Sequence, residues 1–141
     1  MIDRLRRRAA GEHGAAAVML ALLLVPLLIV LVLGIAEFGH AFQVQGTLSA
    51  AAREGVRAMA LRNDPVDAKA VVRNAADSID PAVTDAQITI KVVGGTSVTC
   101  PTTGAGNTAV RLTITYPMPF LTGFFGSGLT LTGTGVMRCN G

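Results

Sequence analysis

From Gly14 to Ala36 the chain carries no charged side chain, and this apolar run of about 23 residues is long enough to cross the roughly 30 Å hydrocarbon core of a bilayer as a helix. From Phe38 the pattern becomes amphipathic. Phe38, Phe42, Gln45, Leu48, Ala52, Val56 and Met59 recur at three- and four-residue steps, while Glu37, Gln43, Arg53, Glu54, Arg57 and Arg62 occupy other faces, which is the period of a helix with one side against a core. No proline lies between Pro26 and Pro65, and Asn63-Asp64-Pro65 forms a stop. One helix from about Ala15 to Arg62 is therefore predicted, kinked at Pro26, where a backbone hydrogen bond is lost and the ring crowds the preceding turn.

Beyond the stop, Asp64 reads as an N-cap with Pro65 at the first helical position. Ala68, Val71, Val72, Ala75, Ala76 and Ile79 form the buried stripe of a second helix that closes at Asp80-Pro81. The period then changes from 3.6 to 2. Ile88, Ile90 and Val92 alternate with Thr89 and Lys91, and Val110, Leu112, Ile114 and Tyr116 alternate with Arg111, Thr113 and Thr115. A last strand alternates Leu129, Leu131 and Gly133 with Thr130, Thr132 and Thr134, with a bulge expected at Gly133 or Gly135. Between these strands, Phe120, Leu121, Phe124 and Phe125 belong to a compact apolar connection that either caps the sheet or stands exposed for a partner, since contiguous apolar surface rarely stays bare. The fold class that follows is α+β: a long N-terminal transmembrane and amphipathic helix, a second short helix and a small antiparallel sheet of three or four strands.

Charge orients this arrangement. Arg4, Arg6, Arg7 and Arg8 precede the apolar run, and basic residues beside a membrane helix favour the cytoplasmic side. The division expected is a basic cytoplasmic leader over residues 1–14, a transmembrane helix over 15–36, its extracytoplasmic continuation over 37–62 and a small exported domain over 63–141. Of the 12 basic and nine acidic residues, the leader takes four Arg with Asp3 and Glu12, leaving eight basic against seven acidic outside it. Lys69, Arg73, Lys91 and Arg111 are scattered and aromatics make up 4% of the chain, so neither the basic stripe nor the stacking platform of a nucleic-acid binder is present in the sequence. Cys100 and Cys139 both fall in the exported part, where an oxidising compartment favours a disulfide over two free buried thiols.

The remaining chemistry is sparse. His13 and His40 flank the apolar run on opposite sides, no Ser lies in a G-x-S-x-G context, and the glycines form no phosphate-binding fingerprint. The sequence thus presents no catalytic constellation, no metal-ligand cluster and no cofactor motif. Gly34 and Gly39, beside Ala36 and Ala41, thin the helix near the membrane exit and permit close helix approach. Glu37 stands at the edge of the apolar run, where solvation at the interface is favoured over pairing with a partner's cation.

Gly14-Ala-Ala-Ala-Val18, Leu24-Val-Pro26-Leu-Leu28, Gly34-Ile-Ala-Glu37-Phe38-Gly39 and Ala51-Ala-Arg53-Glu54-Gly55-Val-Arg57 together resemble the TadE-like proteins of bacterial tight-adherence (Flp) pilus systems. The likeness is strongest over residues 14–59 and looser through Thr113-Ile-Thr-Tyr-Pro117, Leu129-Thr-Leu-Thr132 and Met137-Arg138. It implies a pilin-like subunit held in membrane lipid, working with other pilin-like subunits and with membrane proteins of pilus assembly. It also implies a prepilin peptidase that cuts between Gly14 and Ala15. In pilins the fifth residue after the cut is usually Glu, and here it is Met19, so the resemblance covers both a filament subunit and an assembly factor that remains in the membrane. The alternative outside the family is an exported binding protein, either released by signal peptidase after Gly34-Ile35-Ala36 or anchored by an uncleaved signal.

Overall fold

A computed structural model describes residues 2–103 and 107–139, with side chains from Gly14 onward. Its elements are α1 (Ile2–Arg62), α2 (Pro65–Ala75), a 3₁₀ turn at Asp85–Gln87, and three strands, β1 (Ile88–Val92), β2 (Ala109–Pro119) and β3 (Gly128–Arg138). The chain forms two compact units, Met1–Phe38 and Gly39–Gly141, and α1 contributes to both. The first unit is helical through its described residues, and its large aliphatic side chains between Val18 and Val32 are exposed.

In the second unit the three strands form one antiparallel sheet in the order β1-β2-β3. The register aligns Ile88 with Ile114 and Ile114 with Gly133, so the apolar positions of all three strands share one face. Ile88, Ile90, Val110, Leu112, Ile114, Tyr116, Met118 and Leu131 are buried there, as period-two alternation requires. β2 runs farther than its alternation up to Tyr116 suggested, and takes in Pro117, Met118 and Pro119. β1 covers β2 only as far as Ile114, so the two prolines lie where β2 has a neighbour on one side, the place where a strand tolerates a missing N–H.

The helix face against the sheet differs from the stripe expected. Ala41, Val44, Leu48, Ala51, Ala52, Val56 and Met59 are buried, whereas Phe42 is 77% exposed and Phe38 is exposed as well. The cause lies in β3, where Gly133 and Gly135 form no bulge; they pair regularly with Ile114 and Leu112. A Cβ on Gly133 would sit 2.5 Å from the Leu48 carbonyl oxygen, and one on Gly135 would sit 2.5 Å from that of Ala52. Backbone thus approaches backbone, and at this separation only small or slender side chains fit the helix face.

α2 packs where α1 meets the sheet, with Ala68 and Val72 buried beside Gly55 of α1 and Leu112 of β2. Asp64 caps it, its Oδ1 accepting from the Val66 N–H at 2.9 Å and more weakly from that of Asp67. The helix ends at Ala75, one turn earlier than its apolar stripe suggested: Ala76 leaves helical geometry while its N–H still bonds the Val72 carbonyl. Ile79 is buried beyond that turn, ahead of a cis Asp80-Pro81 peptide. Tyr116 donates its hydroxyl to the Pro81 carbonyl at 2.7 Å and so ties this segment to the sheet.

Cys100 and Cys139 are joined by a disulfide, with Cα atoms 5.7 Å apart. Asn63, at a left-handed φ of 52°, makes two bonds to the Cys100 backbone: its Oδ1 accepts from the N–H at 2.7 Å and its Nδ2 donates to the carbonyl at 3.1 Å. The C-terminal end of α1, the loop at Cys100 and the end of β3 are thereby held together.

Candidate functional site

In the first unit, Gly14 and Ala15 lie inside α1 and are exposed, as is Met19. Pro26 is also inside the helix, and Gly34 is half-buried. Among the described residues, one stretch beginning at Gly14 is apolar and long enough to cross a membrane, and none of its most apolar window is buried. Large exposed aliphatics suit lipid, which offers them the same environment as a protein core and leaves them nothing to gain by mutual burial.

Glu37 departs from the expectation of an interfacial, solvated carboxylate, because only 1% of it is exposed. A carboxylate removed from water persists only with a partner or a proton, and Glu37 does take part in an interaction within the chain. Phe38 and Gly39 beside it are exposed, and a Cβ at Gly39 would meet nothing.

In the second unit, the Ala51–Arg57 motif divides by helical phase. Ala51, Ala52, Gly55 and Val56 face inward, while Arg53, Glu54 and Arg57 are exposed. Gly55 is the contact between α1, α2 and β2, since a Cβ there would collide with Val72 Cγ2 and lie 2.8 Å from Leu112 Cδ1. On the exposed side, Glu54, Arg57, Ala58, Leu61, Arg62 and Val71 line a shallow groove along α1 and α2 whose charges are of both signs. The motif therefore serves the unit's own packing through its small residues and offers polar groups through the rest.

The apolar β2–β3 connection also divides. Phe120 packs against the core, whereas Leu121 is 64%, Phe124 62% and Phe125 40% exposed, so one side chain of the four supplies a cap and the other three reach the surface. Phe124 and Phe125 meet edge to face at 5.3 Å between centroids. Gly123 and Gly126, at φ of 65° and 119°, provide the left-handed geometry that this connection needs.

Among the described residues, Tyr116 has a proton affinity that departs from the ordinary value. Burial first, and the Asp80 carboxylate second, push its phenol pKa up. Among the described residues no group of three or more His, Cys, Asp or Glu side chains is placed to hold a metal ion.

The sequence pattern missed Gly133 and Gly135 as contact residues. Their signal was the phase itself, because in Thr-Leu-Thr-Gly-Thr-Gly the glycines hold the positions that Leu131 marks as inward.

No curated protein and no solved structure matches this chain. Residues 14–57 do match a family model, that of the TadE-like protein family, so the resemblance carried by the apolar run and the Ala51–Arg57 motif is shown over that segment.

Proposed function

We propose that this chain is a non-enzymatic, membrane-anchored component of a tight-adherence type pilus, either a pilin-like subunit or an assembly factor, that acts through helix packing and partner binding. The observation that carries the reading is the coincidence of the TadE-like match over residues 14–57 with one apolar, unburied helix that fits a single-pass anchor. The arginines before the apolar run support an N-terminus in the cytoplasm and a Gly39–Gly141 unit outside it. A disulfide in that unit agrees with an oxidising compartment. The partners proposed are membrane lipid, other pilin-like subunits and pilus assembly membrane proteins, with a prepilin peptidase acting at Gly14-Ala15.

The test is the intact mass of the protein extracted from the membranes of its native host. A chain beginning at Ala15 supports processing and a filament subunit, and a chain retaining residues 1–14 supports a resident assembly factor. A product beginning at Glu37 and soluble without detergent would refute the anchored reading and restore the released binding protein.

A further inference from the structure

The chain has five phenylalanines, and they occur in two short stretches, Phe38 with Phe42 and Phe120 with Phe124 and Phe125. The fold of the second unit brings the later stretch to the end at which α1 enters it. β3 runs in the same direction as α1: Thr132 accepts a hydrogen bond from Gln45, Gly133 lies on Leu48, Gly135 on Ala52, and Cys139 is linked through Cys100 to Asn63. Moving back from Thr132 to Gly128 covers roughly 13 Å of strand, while Gln45 back to Gly39 covers only about 9 Å of helix. The β2–β3 connection therefore stands at the end of the unit marked by Gly39.

Gly39 follows the apolar run by three residues, roughly 5 Å of helix. Headgroups extend the bilayer from about 30 Å to about 40–45 Å, so Gly39, the first residue of the second unit, falls within the headgroup layer when the apolar run spans the hydrocarbon core. The chemistry of this end of the unit suits that layer. No Asp, Glu, Lys or Arg occurs from Leu112 to Met137, nor from Phe38 to Ala52. The exposed side chains at this end are Phe42, Leu121, Phe124 and Phe125, interspersed with Thr122, Ser127 and glycines, a mixture of apolar rings and small hydroxyls matched to the boundary between acyl chains and headgroups.

We propose that the β2–β3 connection, Phe120–Ser127, seats in the interface of the bilayer crossed by the apolar run, with Leu121, Phe124 and Phe125 reaching the acyl boundary. The occupant of this surface is lipid. The inference rests on the membrane-anchored reading above, and it adds a second attachment that limits how far the exported unit swings from the membrane while α1 remains in it.

The chain contains no Trp, so a single introduced indole reports its own surroundings. Full-length Phe124→Trp, reconstituted in phosphatidylcholine vesicles, is compared with Val98→Trp, an exposed site two residues from Cys100 at the opposite end of the unit. Leu121→Trp is a second probe in case Phe124→Trp loses its disulfide or its helical circular dichroism. Vesicle flotation comes first, and failure to float refutes the anchored reading and with it this inference. With flotation established, lipid brominated near the headgroup should quench the Phe124→Trp emission about two-fold or more, as expected for a ring about 5–10 Å into the boundary, and leave Val98→Trp unchanged. Quenching of Phe124→Trp by aqueous acrylamide as strong as that of Val98→Trp, without quenching by bromolipid, overturns the inference. Protection from both quenchers also overturns it, because protein rather than lipid would then cover the connection.

Discussion

Replacing Gly133 with Ala and replacing Gly46 with Ala are the same chemical change, and the structure assigns them opposite signs. At Gly133 the new methyl would meet the Leu48 carbonyl oxygen at 2.5 Å, its carbon at 2.7 Å and the Leu48 Cβ at 3.0 Å. These atoms belong to the backbone and stem of a buried helix residue and cannot swing aside, so helix and strand must separate. Overpacking of this kind costs about 1–3 kcal/mol, and the lower unfolded-state entropy of Ala returns about 0.4–1 kcal/mol. A net loss of about 1–2 kcal/mol is expected. Gly46, on the exposed face of α1, would place a methyl where nothing lies within 4 Å, and Ala in a helix interior is favoured over Gly by about 0.5–1 kcal/mol. The assay is urea unfolding of the full chain in mild detergent, followed by the near-ultraviolet signal of Tyr116, the chain's one tyrosine, which is buried in the sheet core. With a slope of about 1–3 kcal/mol per molar urea, the Gly133→Ala midpoint should fall by about 0.5–1 M and that of Gly46→Ala should rise by a few tenths. Equal midpoints for Gly133→Ala and the parent chain, or shifts of the same sign for both variants, would refute the close approach of β3 to α1.

Other consequences follow from individual contacts. The raised pKa of Tyr116 means that the unfolded chain releases the phenolic proton first as pH climbs; stability should be full below the ordinary tyrosine value of 10.0 and fall as pH rises beyond it, and a spectrophotometric titration at 295 nm should show ionisation coupled to unfolding. Asp64→Ala removes the acceptor for Val66 and Asp67 and should cost about 1 kcal/mol in the same unfolding assay. Cys139→Ser opens a crosslink between residues 39 apart in sequence and should cost about 3–4 kcal/mol, while alkylation of the parent chain without reductant should leave both cysteines unmodified; quantitative labelling would refute the pairing.

Much of this architecture is legible because local periodicity and burial agree. The apolar run, the Asp64-Pro65 cap and the alternation from Ile88 to Val92 and from Val110 to Tyr116 each announce one element, and each forms. The helix face is less legible, since three- and four-residue steps starting at Phe38 put Phe38 and Phe42 in the inward row with Leu48, Ala52, Val56 and Met59. Phe42 and Phe38 face outward, whereas Ala41, Val44 and Ala51, outside that row, face inward. What decides between them is the separation of helix and sheet, a tertiary quantity set by glycines more than 80 residues away in β3. The burial of Glu37 and the division of the β2–β3 connection were likewise invisible, because period and composition say nothing of which segments meet across a fold.

α1 thus changes composition along its length according to its surroundings. In the first unit its large Leu, Val and Ile side chains are exposed, and in lipid they lose nothing by remaining so. In the second unit burial has value because water is the alternative, yet the buried row of α1 is mostly Ala, Gly and Val. Small residues gain less by transfer from water, but they let two backbones approach and bring many atoms into contact at once, and the larger inward groups of β1 and β2 supply the remaining apolar area. A core organised in this way is sensitive to added volume rather than to lost volume. Enlarging Gly55, Gly133 or Gly135 should therefore damage the Gly39–Gly141 unit more than trimming Val44 to Ala. A mutational series in which trimming Val44 proved the more costly would show that the unit is held chiefly by apolar area and not by the close approach of helix and strand.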